Sequence, residues 1–199
     1  MAIDYIIVIA LSYVVGSIPS GLILGKLVWH TDLRRYGSGN IGATNAWRTL
    51  GKVPGLLIFA ADLLKGMFGV WAGMAFVGTP MGMVAGGLMA VVGHSASVFL
   101  RFKGGKGVAT GLGVLVMMMP SVSAVVFAVW LVVVLISKYV SLGSIVAAAL
   151  VPIAAYILGM PAEFIGFGLL AAVFVIYRHK SNISRLLSGT ESKIKSGGR

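Results

Sequence analysis

The sequence predicts an all-α integral membrane protein with seven transmembrane helices, its N-terminus outside and its C-terminus cytoplasmic. Composition and the spacing of charge predict the class; the parity of the basic segments sets the count. Of 199 residues, 58% are hydrophobic and 11% charged, against roughly 25% charged and 45–50% apolar in a soluble domain. Such a chain cannot hide its apolar surface in one water-facing fold. The charges it does carry are bunched, leaving charge-free runs over 5–25, 66–100, 107–137, 139–162 and 164–177. A helix needs about 20 apolar residues to cross the hydrocarbon.

The first run, 5–25, lacks a basic n-region and a small-residue cleavage site, so it reads as a retained span rather than a signal peptide. Gly78, Thr79 and Pro80 mark a turn, which divides a span at 53–77 from one at 81–100. Pro120 interrupts the 107–137 run and predicts two helices, 108–119 and 120–137, the first of them short and packed inside the bundle. A turn over Gly159–Pro161 separates spans at 139–158 and 161–177.

Of the 16 Lys and Arg residues, all but Lys65 fall at 26–52, at 101–106, at Lys138 or at 178–199. Basic residues concentrate on the cytoplasmic side. Placing all four groups inside requires an even number of crossings between each pair, which yields seven spans. The chain is then one multi-span domain, 1–199, with cytoplasmic segments at 26–52, 101–107 and 178–191. Ser188–Arg199 is a polar tail, disordered at its end, with 192–199 set apart as the tail proper. Lys65 follows Asp62 by three residues, which puts both on one helix face as a self-neutralising ion pair turned into the bundle.

The three cytoplasmic segments share a chemistry. The first, Tyr36-Gly37-Ser38-Gly39-Asn40-Ile41-Gly42-Ala43-Thr44-Asn45-Ala46-Trp47-Arg48, combines glycines that let backbone approach a ligand, neutral hydrogen-bonding side chains, and an arginine able to fork onto phosphate. The second, Arg101-Phe102-Lys103-Gly104-Gly105-Lys106-Gly107-Val108-Ala109-Thr110, sets glycines around Lys106 before a helix, a pattern suited to a backbone nest for an anion. It is not a Walker A loop, because Gly107 stands where Ser or Thr is needed. The third is Arg178-His179-Lys180-Ser181-Asn182-Ile183-Ser184-Arg185-Leu186-Leu187-Ser188-Gly189-Thr190-Glu191; in a helix His179 and Asn182 fall within one turn.

The sequence has no cysteine, no His-x4-Asp, no Asp-rich magnesium motif and no Gly-x-Ser-x-Gly elbow. Metal catalysis and a charge-relay triad therefore lack raw material, and no cofactor is expected. His94, near the inner end of its span, reads as a structural hydrogen-bonding group. A site built from cations, amides and backbone donors binds anions and stabilises developing negative charge. It suits transfer from a donor with a phosphate leaving group. An organic-phosphate transporter is the alternative, but it would place polar groups at mid-membrane, where only Asp62 and Lys65 stand. The net charge of +11 follows from topology, so nucleic acid is not an expected partner.

Gly37–Asn45, His94 with Phe102–Thr110, and Arg178–Leu186 together resemble the PlsY family of bacterial acyl-phosphate:glycerol-3-phosphate acyltransferases, with all three segments in order. The resemblance implies acyl transfer from acyl phosphate to the 1-hydroxyl of glycerol 3-phosphate, giving lysophosphatidic acid and phosphate for phospholipid synthesis. It implies a seven-helix fold in the bacterial inner membrane, with the active site on the cytoplasmic side. Within that reading, Gly104, Gly105 and Gly107 with Thr44 and Asn45 hold the acyl phosphate. Ser38, Arg48, Lys106, His179 and Asn182 hold glycerol 3-phosphate, with Arg48, Lys106, His179 and Asn182 as the catalytic set. Asn40 and Ser144 add headgroup contacts. The expected partners are acyl phosphate, glycerol 3-phosphate, membrane lipid and a docked acyl-phosphate synthase.

Overall fold

The computed structural model describes residues 1–194. All regular structure among them is helical: α1 (Ala2–Ser17), α2 (Ser20–Trp29), α3 (Ala43–Leu50), α4 (Lys52–Phe76), α5 (Pro80–Ser95), α6 (Val108–Met118), α7 (Pro120–Ser137), α8 (Val140–Ile157), α9 (Ala162–Arg178) and α10 (Lys180–Leu187), with single 3₁₀ turns at Leu33–Arg35 and Val98–Leu100. Among these residues five stretches are long and apolar enough to cross a membrane, counting Ala2–Trp29 as one. The number is six when α9 and α10, bent by 58° at their junction, are taken as one broken span. At 11 residues, α6 is about 16 Å long, short of a hydrocarbon core about 30 Å thick.

The helix ends follow from local sequence. Proline removes an N–H and pushes the residue before it out of the α region. Ile18 accordingly takes φ −55° and ψ 118°, and the first apolar run breaks into α1 and α2 there rather than continuing as one helix. At Pro120 the same rule separates α6 from α7: Met119 is non-helical and Pro120 occupies the first turn of α7, where its missing N–H costs nothing. Thr79, inside the predicted turn, caps α5 by accepting the Gly82 N–H at 3.2 Å.

The helices gather into two compact units, Met1–Met117 and a second beginning at Met118. In the first, α1, α4 and α5 pack against one another. Gly69 of α4 and Gly86 of α5 meet so closely that a Cβ on either would overlap the other's carbonyl oxygen. Lipid tails are as apolar as leucine, so helices in a membrane associate through close van der Waals contact, which small residues permit. Beside this bundle, Leu33, Ala46 and Ile58 form a small core with Leu24, Ala43 and Leu50 packed on it. That core seats the loop after α2, and α3 itself, on α4.

In the second unit α8 packs against both α7 and α9. Pro152 lies inside α8, and Gly168 of α9 comes up to it: a Cβ there would sit 3.3 Å from the Pro152 Cα. The polar stretch expected to be a tail from Ser188 onward is packed as far as Ile194, whose N–H donates to the Lys138 carbonyl at 2.8 Å. The rest of the expected disordered tail, 195–199, lies outside the described residues.

Candidate active site

The first unit carries two of the three segments. Asn45, 2% exposed, organises the first. Its Nδ2 faces three carbonyls, donating to Leu33 at 3.0 Å, Tyr36 at 3.1 Å and Asn40 at 2.8 Å. Its Oδ1 accepts the Ser38 N–H at 3.0 Å. Both ends of the amide are thus spent inside the loop. Asn45 in this way shapes the loop that carries Ser38. Gly37 has φ +57° and passes directly over Asn45 Oδ1, leaving no room for a Cβ. Asn40 Oδ1 accepts the Gly42 N–H at 2.8 Å, turning the chain into α3. Ser38 is exposed on the loop, and Thr44 and Arg48 are half-buried on α3. Four residues apart, they share a helix face.

Upstream, Asp32 accepts from the Arg34 guanidinium at 2.9 and 2.6 Å. That interaction, reinforced by Lys26 at 3.5 Å, holds its carboxyl well below the usual carboxylate range.

The second segment leaves α5 and folds back on its end. Phe102, at φ +62°, donates its N–H to the Ser97 carbonyl at 2.8 Å. The Gly104 N–H donates to the Ser95 carbonyl and the Gly105 N–H to the His94 carbonyl, each at 3.1 Å. These two amides hold the loop down on the end of α5. Both glycines are required by approach: a Cβ on Gly104 would overlap the His94 carbonyl oxygen, and one on Gly105 the His94 ring. Lys106 follows, half-buried, and Gly107 at φ +80° turns the chain into α6.

The second unit carries the third segment. His179 is 3% exposed and its Nδ1 lies 2.7 Å from the Val175 carbonyl. A carbonyl only accepts, so Nδ1 bears the proton, and Nε2 is the acceptor atom of the neutral ring. Asn182 Nδ2 donates to Glu191 Oε1 at 2.7 Å, as does the Ser141 hydroxyl; Arg185 Nε donates to Glu191 Oε2 at 2.7 Å. Burial alone would push the Glu191 pKa up, but the hydrogen bonds from Ser141, Arg185 and Asn182 outweigh it and bring the carboxyl below its ordinary value. Ser144 is buried, donating to Val140 O at 2.9 Å and accepting from Trp130 Nε1 at 3.4 Å.

Sequence reasoning missed Glu191 and Ser141 as partners of this segment. Glu191 sits in a polar stretch, and no spacing rule ties it to a serine 50 residues earlier. An isolated acid in a strongly basic tail was the one available signal. Asp62, which spacing pairs with Lys65, meets His94 as well: Lys65 Nζ lies 2.7 Å and His94 Nδ1 3.6 Å from Asp62 Oδ1.

The chain is similar to known proteins along most of its length. A family model described as glycerol-3-phosphate acyltransferase matches residues 6–189. A curated glycerol-3-phosphate acyltransferase of Carboxydothermus hydrogenoformans is 47% identical over 184 residues, covering 92% of this chain and 93% of its own. One from Desulforudis audaxviator is 48% identical over 192 residues, 96% of each chain. Among solved structures, the glycerol 3-phosphate form of PlsY (YgiH), an integral membrane glycerol 3-phosphate acyltransferase, superposes with a TM-score of 0.91 at 40% identity over 96% of each chain. Its lysophosphatidic acid form gives 0.90 at 39% identity over the same share.

Proposed function

The chain belongs to the glycerol-3-phosphate acyltransferase family, and from that premise we propose that it is a multi-pass inner-membrane enzyme that moves an acyl chain from acyl phosphate to the 1-hydroxyl of glycerol 3-phosphate. The observation that carries the donor assignment is the character of the three segments. They supply Arg48, Lys106, His179 and Asn182, and their carboxylates are held by neighbours, Glu191 by Ser141, Asn182 and Arg185 and Asp32 by Lys26 and Arg34. Such a set neutralises phosphate and does little else, so the donor must bring its own leaving group.

The reaction balances without a covalent enzyme intermediate. The 1-hydroxyl oxygen bonds to the acyl carbon, the bond from that carbon to the phosphate oxygen breaks, and the hydroxyl proton passes to phosphate. The products are lysophosphatidic acid and inorganic phosphate. Arg48 and Lys106 offset the charge that builds on phosphate, and Ser38 and Asn182 orient the hydroxylated substrate. Thr44, on the Arg48 face of α3, and Gly107, at the start of α6, belong to the acyl-phosphate side. Ser144 and Asn40 are assigned to the headgroup side of the same substrates. His179 binds through Nε2, and substrate phosphate takes the proton. One observation favours the second reading, in which His179 itself is the base: the Val175 carbonyl lies against Nδ1, so in the neutral ring the lone pair is on Nε2.

The seven-span topology, with the N-terminus outside and the C-terminus cytoplasmic, belongs to this proposal. Its support is the helix break at Pro120, which divides the 107–137 run into the two helices that the parity of the basic segments calls for. A cytoplasmic site is where a soluble phosphate ester and an acyl-phosphate synthase would deliver substrate.

The test is phosphate release by purified protein given glycerol 3-phosphate with either palmitoyl phosphate or palmitoyl-CoA, in detergent with chelator present. Turnover is expected with the acyl phosphate and not with the thioester. Silence with the acyl phosphate from folded protein overturns the proposal in favour of phosphate-ester transport, read by flux into vesicles.

A further inference from the structure

Asp62, Lys65 and His94 are buried in the first unit, outside the three segments. Burying an ion pair in a membrane protein is costly, and apolar residues of similar size would usually serve stability as well. The group therefore calls for an account of what it touches. Lys65 Nζ donates to Asp62 Oδ1 at 2.7 Å and to the Ile18 carbonyl at 2.6 Å, at the break between α1 and α2. The same carboxylate oxygen lies 3.6 Å from His94 Nδ1. A carboxylate facing one imidazole nitrogen restrains the orientation of the ring.

The far edge of that ring is the floor of the second segment. The three atoms nearest to a Cβ built on Gly105 all belong to it: Nε2 in overlap, Cε1 at 2.9 Å and Cδ2 at 3.0 Å. The backbone closes the same contact, because the Gly105 N–H donates to the His94 carbonyl at 3.1 Å. Lys106 is the next residue. The height of the loop over His94 therefore sets where Lys106 begins.

We propose that His94, oriented by Asp62, is a positioning residue that seats the Gly104–Gly107 loop and so places the Lys106 ammonium against substrate phosphate. Lys65 fastens the same carboxylate to the α1–α2 break. The inference rests on the reading of Lys106 as a phosphate ligand.

The experiment is a double-mutant cycle with His94→Ala, Gly105→Ala and the two combined, reading kcat, the KM for glycerol 3-phosphate and the thermal midpoint. Each single change is expected to raise that KM about tenfold, since a displaced loop weakens phosphate binding, whereas mere loss of folded enzyme lowers apparent kcat alone. The double variant is expected to be no worse than the worse single one, because the added methyl enters the space the ring has left. Multiplying KM effects, or a wild-type KM in His94→Ala, would overturn the proposal. Should His94→Ala not fold, His94→Gln replaces it in the same cycle, its flexible side chain yielding to the methyl, and multiplying effects count against the proposal equally. Asp62→Asn should raise KM in the same direction; a wild-type value removes Asp62 from the device. If the wild-type protein transfers no acyl chain, the reaction reading fails by itself. The midpoints of the four proteins and their binding of glycerol 3-phosphate then still read the His94–Gly105 coupling.

Discussion

Asn182 and Glu191 are joined by a 2.7 Å hydrogen bond that closes the third segment on itself. Glu191 is held at the same time by Ser141 from α8 and by Arg185 from α10. One carboxylate thus fixes the rotamer of a candidate substrate ligand and pins α10 to α8.

Glu191→Gln should lower the thermal midpoint and activity together. A neutral amide cannot accept from all three donors as well as a carboxylate, and the Arg185 charge loses its partner. A net cost of about 1–3 kcal/mol is expected, read by thermal unfolding in detergent; an unchanged midpoint would show that the contact carries no stability.

The same group sets a pH dependence. The folded-state pKa of Glu191 lies below its ordinary value of 4.5. Its contribution to stability is therefore fully present above about pH 4.5 and fades as pH falls through the lower folded value. The difference between the midpoints of the wild-type protein and Glu191→Gln should shrink on acidification below pH 4.5 and stay flat from pH 6 to 8. A difference that grew on acidification would reverse the assignment.

Asn45→Asp keeps the shape of the side chain and turns an oxygen toward the carbonyls of Leu33, Tyr36 and Asn40. Acceptor facing acceptor in a buried site should cost about 2–3 kcal/mol. Activity should fall through loss of folded protein and a disordered Ser38 loop. Wild-type stability in this variant would mean the amide is not the organiser of the loop.

Lys106→Ala and Arg48→Lys should each damage turnover. The first removes a counter-charge from a phosphate held out of water. The second replaces a two-pronged donor with a point charge. Unchanged kcat and KM for Lys106→Ala would take that residue out of the site. An unchanged KM for glycerol 3-phosphate in Arg48→Lys would do the same for the fork.

His179→Asn separates the two roles of the imidazole. With substrate phosphate taking the proton, the variant keeps substantial kcat at raised KM. A fall of about 100-fold or more in kcat alone would make His179 the base.

Composition and charge order determined what could be read in one dimension. A chain with 58% hydrophobic residues has to lie in lipid, and its charge-free runs became helices within a few residues of their expected limits. α4 begins at Lys52, and α8 ends at Ile157. Prolines mark breaks because their effect is local to the backbone, and the break between α1 and α2 at Pro19 follows the same rule. The three polar segments were visible for a related reason: glycine, lysine and arginine in that density serve no apolar span. The tertiary structure alone decided which polar groups look inward. Asn45, Gly104 and Gly105 carry the composition of ligand contacts, yet their hydrogen bonds close on Leu33, Ser95 and His94. Glu191 reaches Ser141 across 50 residues, and His94 reaches Asp62 on another helix. No spacing rule encodes such pairs, because a side chain's partner is set by where packed helices bring distant backbone, and burial then forces each polar atom to find one.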